Sequence, residues 1–503
     1  MKSHYVLAIA ISLLVGGIYL VIIPKRWRDA LNNQISARLH FLPRGRRTSS
    51  SKTPPRSISP EKKLPSNEPP PVEYKNIFPP AQRETLGKVA ERYPSPIKEK
   101  LLGGEIDDVE FRKNLIAFTA NYEDCGPSTY TPMGISIAEV KALGDFPDYA
   151  ELSGVPRPNP YKEFRIDTAI ARPYRPFRWA YHQTMSLNKL ESDWWLELEK
   201  TYTVRIAQRK ELYAKHGKLV LDYLPGSELA CKEIMEMALQ FLCARYPQYF
   251  SLTQDGSRGY VFQNGILKNE TVINNMHPLL VLLENVPEDF ACMLRNPEDG
   301  YYYFRAGILC SALGWNVSTK LGMQLKEVHA PIPDYKEKME FSMDRYFSKL
   351  PTSRPIQRGS WGLEVDEPLF MPPGDPHEQL RLTQPAIPLS RVHLRVDWQT
   401  LRRLPLSGSI IFNFKALFTP LTDFRTEPHI PALLLKILKE GKKEIMQYKN
   451  TWHVEHVAVP ALEEWKEEQV REGVVEEGWE ERTLEEAPWF RGWEDMWHER
   501  QGF

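Results

Sequence analysis

Residues 6–23 (VLAIAISLLVGGIYLVII) contain no charged side chain. As a helix, such a run rises roughly 27 Å, close to the hydrocarbon thickness of a bilayer. It continues directly into Pro24, Lys25, Arg26, Trp27 and Arg28 without a small-residue cleavage pattern, which predicts an uncleaved signal anchor over 1–24. Lys2 precedes the run, whereas Lys25, Arg26, Arg28, Arg38, Arg44, Arg46 and Arg47 follow it. The positive-inside rule then puts the downstream chain in the cytosol. The expectation is a single-pass membrane protein, of the endoplasmic reticulum among the endomembranes. On that topology the sequons Asn269-Glu-Thr and Asn316-Val-Ser stay unglycosylated.

Composition changes along the rest of the chain. Residues 25–84 are basic and rich in Pro and Ser, too poor in apolar surface to fold, and read as a spacer. A globular body follows, with 85–169 as its N-terminal extension and 170–460 as its principal domain. Residues 461–503 are acidic and tryptophan-rich, and read as a solvated helical tail, with an acidic-aromatic docking element as the alternative. Across 503 residues, 42% hydrophobic and 11% aromatic content exclude a wholly disordered chain. Sixty-five basic against 65 acidic side chains argue against a nucleic-acid binder that works by bulk charge. Cys125, Cys231, Cys243, Cys292 and Cys310 form no CxxC pair and read as reduced intracellular thiols.

Within the body, Ile234, Met237, Ala238, Phe241 and Leu242 recur at helical spacing over 228–246, stopped by Pro247. Met339, Met343, Tyr346, Phe347 and Leu350 do the same over 335–350 before Pro351. Strand alternation comes in Val392, Leu394 and Val396. It returns, after a Leu406-Ser407-Gly408 turn, in Ile410, Phe412, Phe414, Ala416 and Phe418. Tyr302, Phe304, Ala306 and Ile308 form a third such run. Strands clustered apart from helices predict an α+β fold rather than a doubly wound sheet.

The chain has no GxGxxG, P-loop, GxSxG, HExxH or zinc-type cysteine spacing. His453 and His456 stand at i, i+3, but no third ligand is near them in sequence.

Several ordered stretches between about 170 and 440 carry a resemblance. They are Arg172-Pro-Tyr-Arg-Pro-Phe-Arg178, Thr184-Met-Ser-Leu187, Asp193-Trp-Trp-Leu-Glu-Leu198 and Arg245-Tyr-Pro247. Then come His277-Pro-Leu279 with Glu288-Asp289, Lys320-Leu-Gly322, His329-Ala-Pro-Ile-Pro-Asp-Tyr335 and Gln399-Thr-Leu-Arg-Arg-Leu-Pro405. Together they resemble the haem-dependent oxidative N-demethylase family.

The resemblance implies a PAS-like haem-binding domain with an antiparallel sheet as one pocket wall, flanked by helices. It implies reductive O₂ activation at haem iron and removal of a methyl group from a small amine as formaldehyde. His329 and His277 are then the candidate iron ligands, with His216 third. Arg358 and Arg395 are candidates for haem contacts, and Asp397, Arg402 and Glu288 for the chemistry, Asp397 as holder of a cationic amine. Equally, the charges over 395–403, Arg403 included, can be exposed side chains on alternate strand positions. Trp361 and Trp398 read as packing. The chain departs from the family pattern at Ser186, where the family has Gly, and at Ser360-Trp361, where it has Asn-Trp. It departs again at Asp397-Trp398, where the family has Glu-Arg. No CxxxxCxxC cluster and no dinucleotide fingerprint accompany the pattern, so electrons are expected from a separate NADPH-dependent reductase. The alternatives are a PAS-like sensor that binds haem or another ligand without turnover, and a non-catalytic membrane-tethered interaction protein.

Overall fold

The alternating runs at 392–396 and 410–418 lie in the two longest strands among the described residues, Val392–Arg403 and Ile410–Pro420. The computed structural model describes residues 72–502 apart from 81–82, 103–107, 183 and 373. These residues belong to one compact unit, Val72–Phe503. The expected anchor at 6–23 lies outside them. Among the described residues, no helix is long and apolar enough to cross a membrane.

The strands in chain order begin with β1 (Asn188–Lys189), β2 (Leu221–Tyr223), β3 (Phe250–Asp255), β4 (Gly259–Asn264) and β5 (Asn269–Val272). They continue with β6 (Asp289–Arg295), β7 (Tyr302–Ile308), β8 (Ile356–Val365), β9 (Val392–Arg403) and β10 (Ile410–Pro420). Seven form one antiparallel sheet in the order β1-β8-β9-β10-β6-β7-β2, and β3-β4-β5 form a separate meander. The α+β expectation holds.

Strand parity divides the core. Even positions of β9 (Leu394, Val396, Trp398) join Ile411, Leu363 and Cys292 in the larger hydrophobic cluster, on which the helices Tyr202–His216, Glu228–Arg245 and Pro278–Asn285 pack. Odd positions face the other way. There Leu401 joins Met293, Phe304, Met343 and Phe347 in a smaller cluster beneath the helices of 325–349. One residue of register would exchange the two sets, so burial of both faces fixes the pairing.

The β9–β10 turn is held from the larger side. Glu233, fully buried in the helix Glu228–Arg245, accepts from the backbone N–H of Leu406 at 2.5 Å and of Ser407 at 2.9 Å. Gly408 takes φ +71°, a left-handed backbone that favours glycine, and a Cβ there would also crowd the Met133 Sδ at 3.0 Å.

The C-terminal segment corrects the expectation of a solvated tail. The helix Trp452–Arg471 buries Val454, Ala458, Leu462 and Trp465. Further on, Trp489 stacks on Trp493 at 4.4 Å, and Trp497 Nε1 donates to the Ile170 carbonyl at 2.9 Å. The Arg172 guanidinium lies between Trp194, at 3.9 Å, and Trp489, at 5.1 Å. The acidic residues face solvent while the tryptophans clamp the body's own chain.

Candidate functional site

The odd positions of β9 and the even positions of β8 share a face of the sheet that forms one wall of a cavity of about 440 Å³. That size suits a ligand of cofactor or drug scale. In register, Arg358 sits opposite Gln399, Ser360 opposite Asp397, and Gly362 opposite Arg395. The apolar part of the lining comes from Met293, Phe304, Leu401, Phe412, Phe414 and Met343. The roof is the short helix Leu325–His329, begun by a Gln324–Glu327 capping box.

His329 ends that helix and lines the cavity. Its Nδ1 lies 2.8 Å from the Leu325 carbonyl oxygen. A carbonyl only accepts, so Nδ1 carries the proton and, in the neutral ring, Nε2 carries the lone pair. Burial, then the positive charges of Arg358 and Lys320, push the imidazole down to about 4, so it is neutral at physiological pH. The ring stacks on Tyr335 at 5.2 Å, which fixes its plane.

Arg358 lines the same cavity. Its Nε is buried without a partner, and among the described residues the guanidinium makes no hydrogen bond or ion pair. Burial holds it below the ordinary arginine value, as does the nearby charge of Arg178. Arg178 itself donates to Thr184 Oγ1 at 2.6 Å. Two cations thus converge on the cavity without a carboxylate between them.

The third feature is Asp397. Its Oδ1 accepts from Arg395 Nε at 2.9 Å and lies 2.8 Å from Nη2. The remaining Arg395 donors go to the carbonyls of Pro368 (2.6 Å), Leu369 and Ser311. Arg395 is therefore committed to protein acceptors, and it presents Asp397, whose side chain is one-third exposed, to the cavity.

The other residues singled out from the sequence lie elsewhere. His277 is the N-cap of the helix Pro278–Asn285: its Nδ1 accepts from Leu279 N–H at 3.2 Å, and its ring stacks on Tyr223 at 3.9 Å. The geometry is that of a helix cap, and His277 does not line the cavity. His216 packs near Phe370 at 5.5 Å. Glu288 is buried behind the sheet, accepting from Asn413 Nδ2 and from Glu197 N–H at 3.3 Å, and burial pushes it up to about 8. Arg402 faces the larger cluster, 4.0 Å over the Trp195 ring. Arg403 donates to the Leu350 carbonyl (2.6 Å) and to Tyr302 Oη (2.8 Å), a structural use. Trp361 borders the cavity, whereas Trp398 donates to Gln357 Oε1 at 3.0 Å away from it. His453 and His456 bond to the carbonyls of Asn450 and Pro385, and no group of three or more metal-ligating side chains occurs among the described residues.

Sequence reasoning missed Arg178, Tyr181, Tyr448 and Lys449, which also line the cavity. Arg178 was within reach, because it closes the quoted 172–178 stretch. Tyr448 and Lys449 come from the helix Lys443–Lys449, and nothing in their local sequence marks them.

The cavity residues fit haem. A neutral imidazole with Nε2 unoccupied, an unpartnered guanidinium for a carboxylate and an apolar lining are what a porphyrin with acidic side chains needs. Ser186, at the cavity edge, adopts φ +54°, the left-handed backbone that glycine tolerates best, which accounts for glycine at this place in the pattern. A family model described as haem-dependent oxidative N-demethylase, alpha subunit-like, matches residues 186–459, more than half of the chain and the whole of β8–β10. The chain belongs to the haem-dependent oxidative N-demethylase alpha subunit-like family, whose description carries a haem-dependent oxidoreductase activity.

Proposed function

We propose that the cavity under the helix Leu325–His329 holds haem and that the chain removes a methyl group oxidatively from a small amine, with O₂ as oxidant. The observation that carries this reading is the meeting of His329 and Arg358 in one largely apolar cavity. Strand order supports the PAS-like form of the fold: β6 to β10, counted one to five, run 2-1-5-4-3 across the sheet. Bound haem supplies the reductive activation of O₂.

The chain's own residues do the rest. His329 offers Nε2 to iron, while the Nδ1–H bond to Leu325 fixes the tautomer and strengthens the ring as a donor. Arg358 takes a haem carboxylate. Asp397, held by Arg395, accepts an N–H of the ammonium form of the amine and orients the methyl group. Phe412, Phe414 and Leu401 keep water from that contact.

The electrons are proposed to come from a separate NADPH-dependent reductase. The anchor at 6–23 and the spacer, which ends before the compact unit that begins at Val72 rather than at residue 84, would keep the unit on the cytosolic side of the endoplasmic reticulum membrane beside it. The test is formaldehyde release by the haem-loaded chain with such a reductase, NADPH and a panel of methylated amines. Substrate-dependent formaldehyde is the expected result. NADPH oxidation without formaldehyde for any amine contradicts the reading.

A further inference from the structure

The even face of β9 borders a second cavity, of about 370 Å³, distinct from the one lined by His329. The helices Tyr149–Ser153 and Glu228–Arg245 contribute to it, together with residues 190–195. Its apolar surface comes from Leu190, Trp195, Met237, Phe241 and Leu252. The cations in its lining are Arg157, which is exposed and paired with Asp148 at 2.9 Å, and Arg402.

Arg402 is 5% exposed. Its Nε is buried without a partner, and among the described residues neither Nη makes a hydrogen bond or ion pair. The neighbouring acid, Glu233, has both oxygens engaged by the Leu406 and Ser407 N–H groups. One face of the guanidinium is covered by the Trp195 ring at 4.0 Å, and Trp195 is itself fixed by its Nε1 bond to Asn413 Oδ1 at 3.0 Å. A desolvated, unpaired guanidinium is costly to maintain in a folded chain. Its planar fork matches a carboxylate in two parallel bonds.

We infer that this second cavity binds a small organic monocarboxylate with an apolar body, its carboxylate on Arg402 and its hydrocarbon part against Met237, Phe241 and Leu252. The single unpaired cation sets one negative charge. Glu191 in the lining disfavours a dianion such as a phosphate ester. Gln240 adds no competing donor, because its Nε2 is used by the Phe146 and Pro147 carbonyls at 3.1 and 2.7 Å. The site is independent of haem, since none of these residues lines the first cavity.

The test is calorimetric titration of the full-length chain with 4-phenylbutyrate and, separately, with the uncharged 4-phenylbutan-1-ol. The wild type is expected to bind the acid saturably and at least tenfold more tightly than the alcohol. Arg402→Met should lose at least tenfold in affinity for the acid and leave the alcohol unchanged. Ala244→Phe keeps Arg402 but fills the cavity that Ala244 lines, and should abolish binding of both. The inference is overturned if wild-type chain gives no saturable heat with the acid, if acid and alcohol bind alike, or if the Ala244→Phe chain binds as the wild type does.

Discussion

Arg395 and Asp397, two residues apart on one strand, point into the same cavity and are paired through a single carboxylate oxygen, Oδ1, at 2.8–2.9 Å. This leaves Oδ2 of Asp397 without a hydrogen bond among the described residues and open to a donor in the cavity. Asp397→Asn removes the charge and keeps the shape. It should preserve haem retention and raise KM for the amine at least tenfold, about 1.4 kcal/mol of lost binding, with formaldehyde release as the readout. An unchanged KM would remove Asp397 from the substrate site.

Arg358, half-buried with its Nε inaccessible, and the fully buried Arg175 make a contrasting pair of cations. Arg175 is clamped by Glu427, with Nη2–Oε1 at 2.6 Å and both side chains inaccessible. Arg175→Met strands the glutamate and should cost ~3–5 kcal/mol in a denaturant titration. Arg358 has no such partner among the described residues. Arg358→Met should leave the haem-free chain at least as stable as the wild type and speed haem loss to apomyoglobin. Slower or equal haem loss would mean that Arg358 serves another anion.

Ser186 carries a strained backbone at the cavity rim, with φ +54°. Ser186→Gly relieves a left-handed conformation that costs a non-glycine residue ~1–2 kcal/mol, partly offset by glycine's greater freedom when unfolded. The expected result is a small rise in Tm. A fall would show that the Ser186 hydroxyl, 3.3 Å from Thr184 Oγ1, matters more than the backbone.

Glu288 sets a pH dependence. Burial lifts its carboxyl from an ordinary value of 4.5 to about 8, so the folded chain binds a proton there that the unfolded chain releases above 4.5. Its contribution is fully present below about pH 4.5 and is lost as pH rises towards 8. Glu288→Gln should therefore flatten the decline of stability between those limits, read as Tm against pH. An identical pH profile would place the ionised form in the core.

Much of this fold was legible. Val392–Val396 and Ile410–Phe418 alternate because each strand turns apolar side chains to one face of the sheet and polar ones to the other, Arg395 and Asp397 on β9 and Asn413 and Lys415 on β10, and Leu406-Ser407-Gly408 marks the turn between them. The same period of two separates Asp397 from Arg402, which stand at odd and even positions of β9 and so line different cavities. Grouping them by nearness in sequence obscured that. Trp489, Trp493 and Trp497 recur every four residues, yet the surrounding acids hid a packing stripe whose partner, Arg172, lies some 300 residues away in sequence. His277 announced its cap through the proline that follows it. Tyr448 and Lys449 reach the cavity only through tertiary packing, which no local pattern encodes.

The central claim is that His329 presents Nε2 to haem iron. The most direct measurement is the absorbance spectrum of the full-length chain with haem, before and after dithionite and CO, for wild type, His329→Ala and His277→Ala. With His329 neutral down to about pH 4, the account predicts a stoichiometric Soret band that persists at pH 5 and shifts on CO. It should be lost in His329→Ala and retained in His277→Ala. A folded wild-type chain without a band, or a His329→Ala chain with an unaltered one, would contradict it.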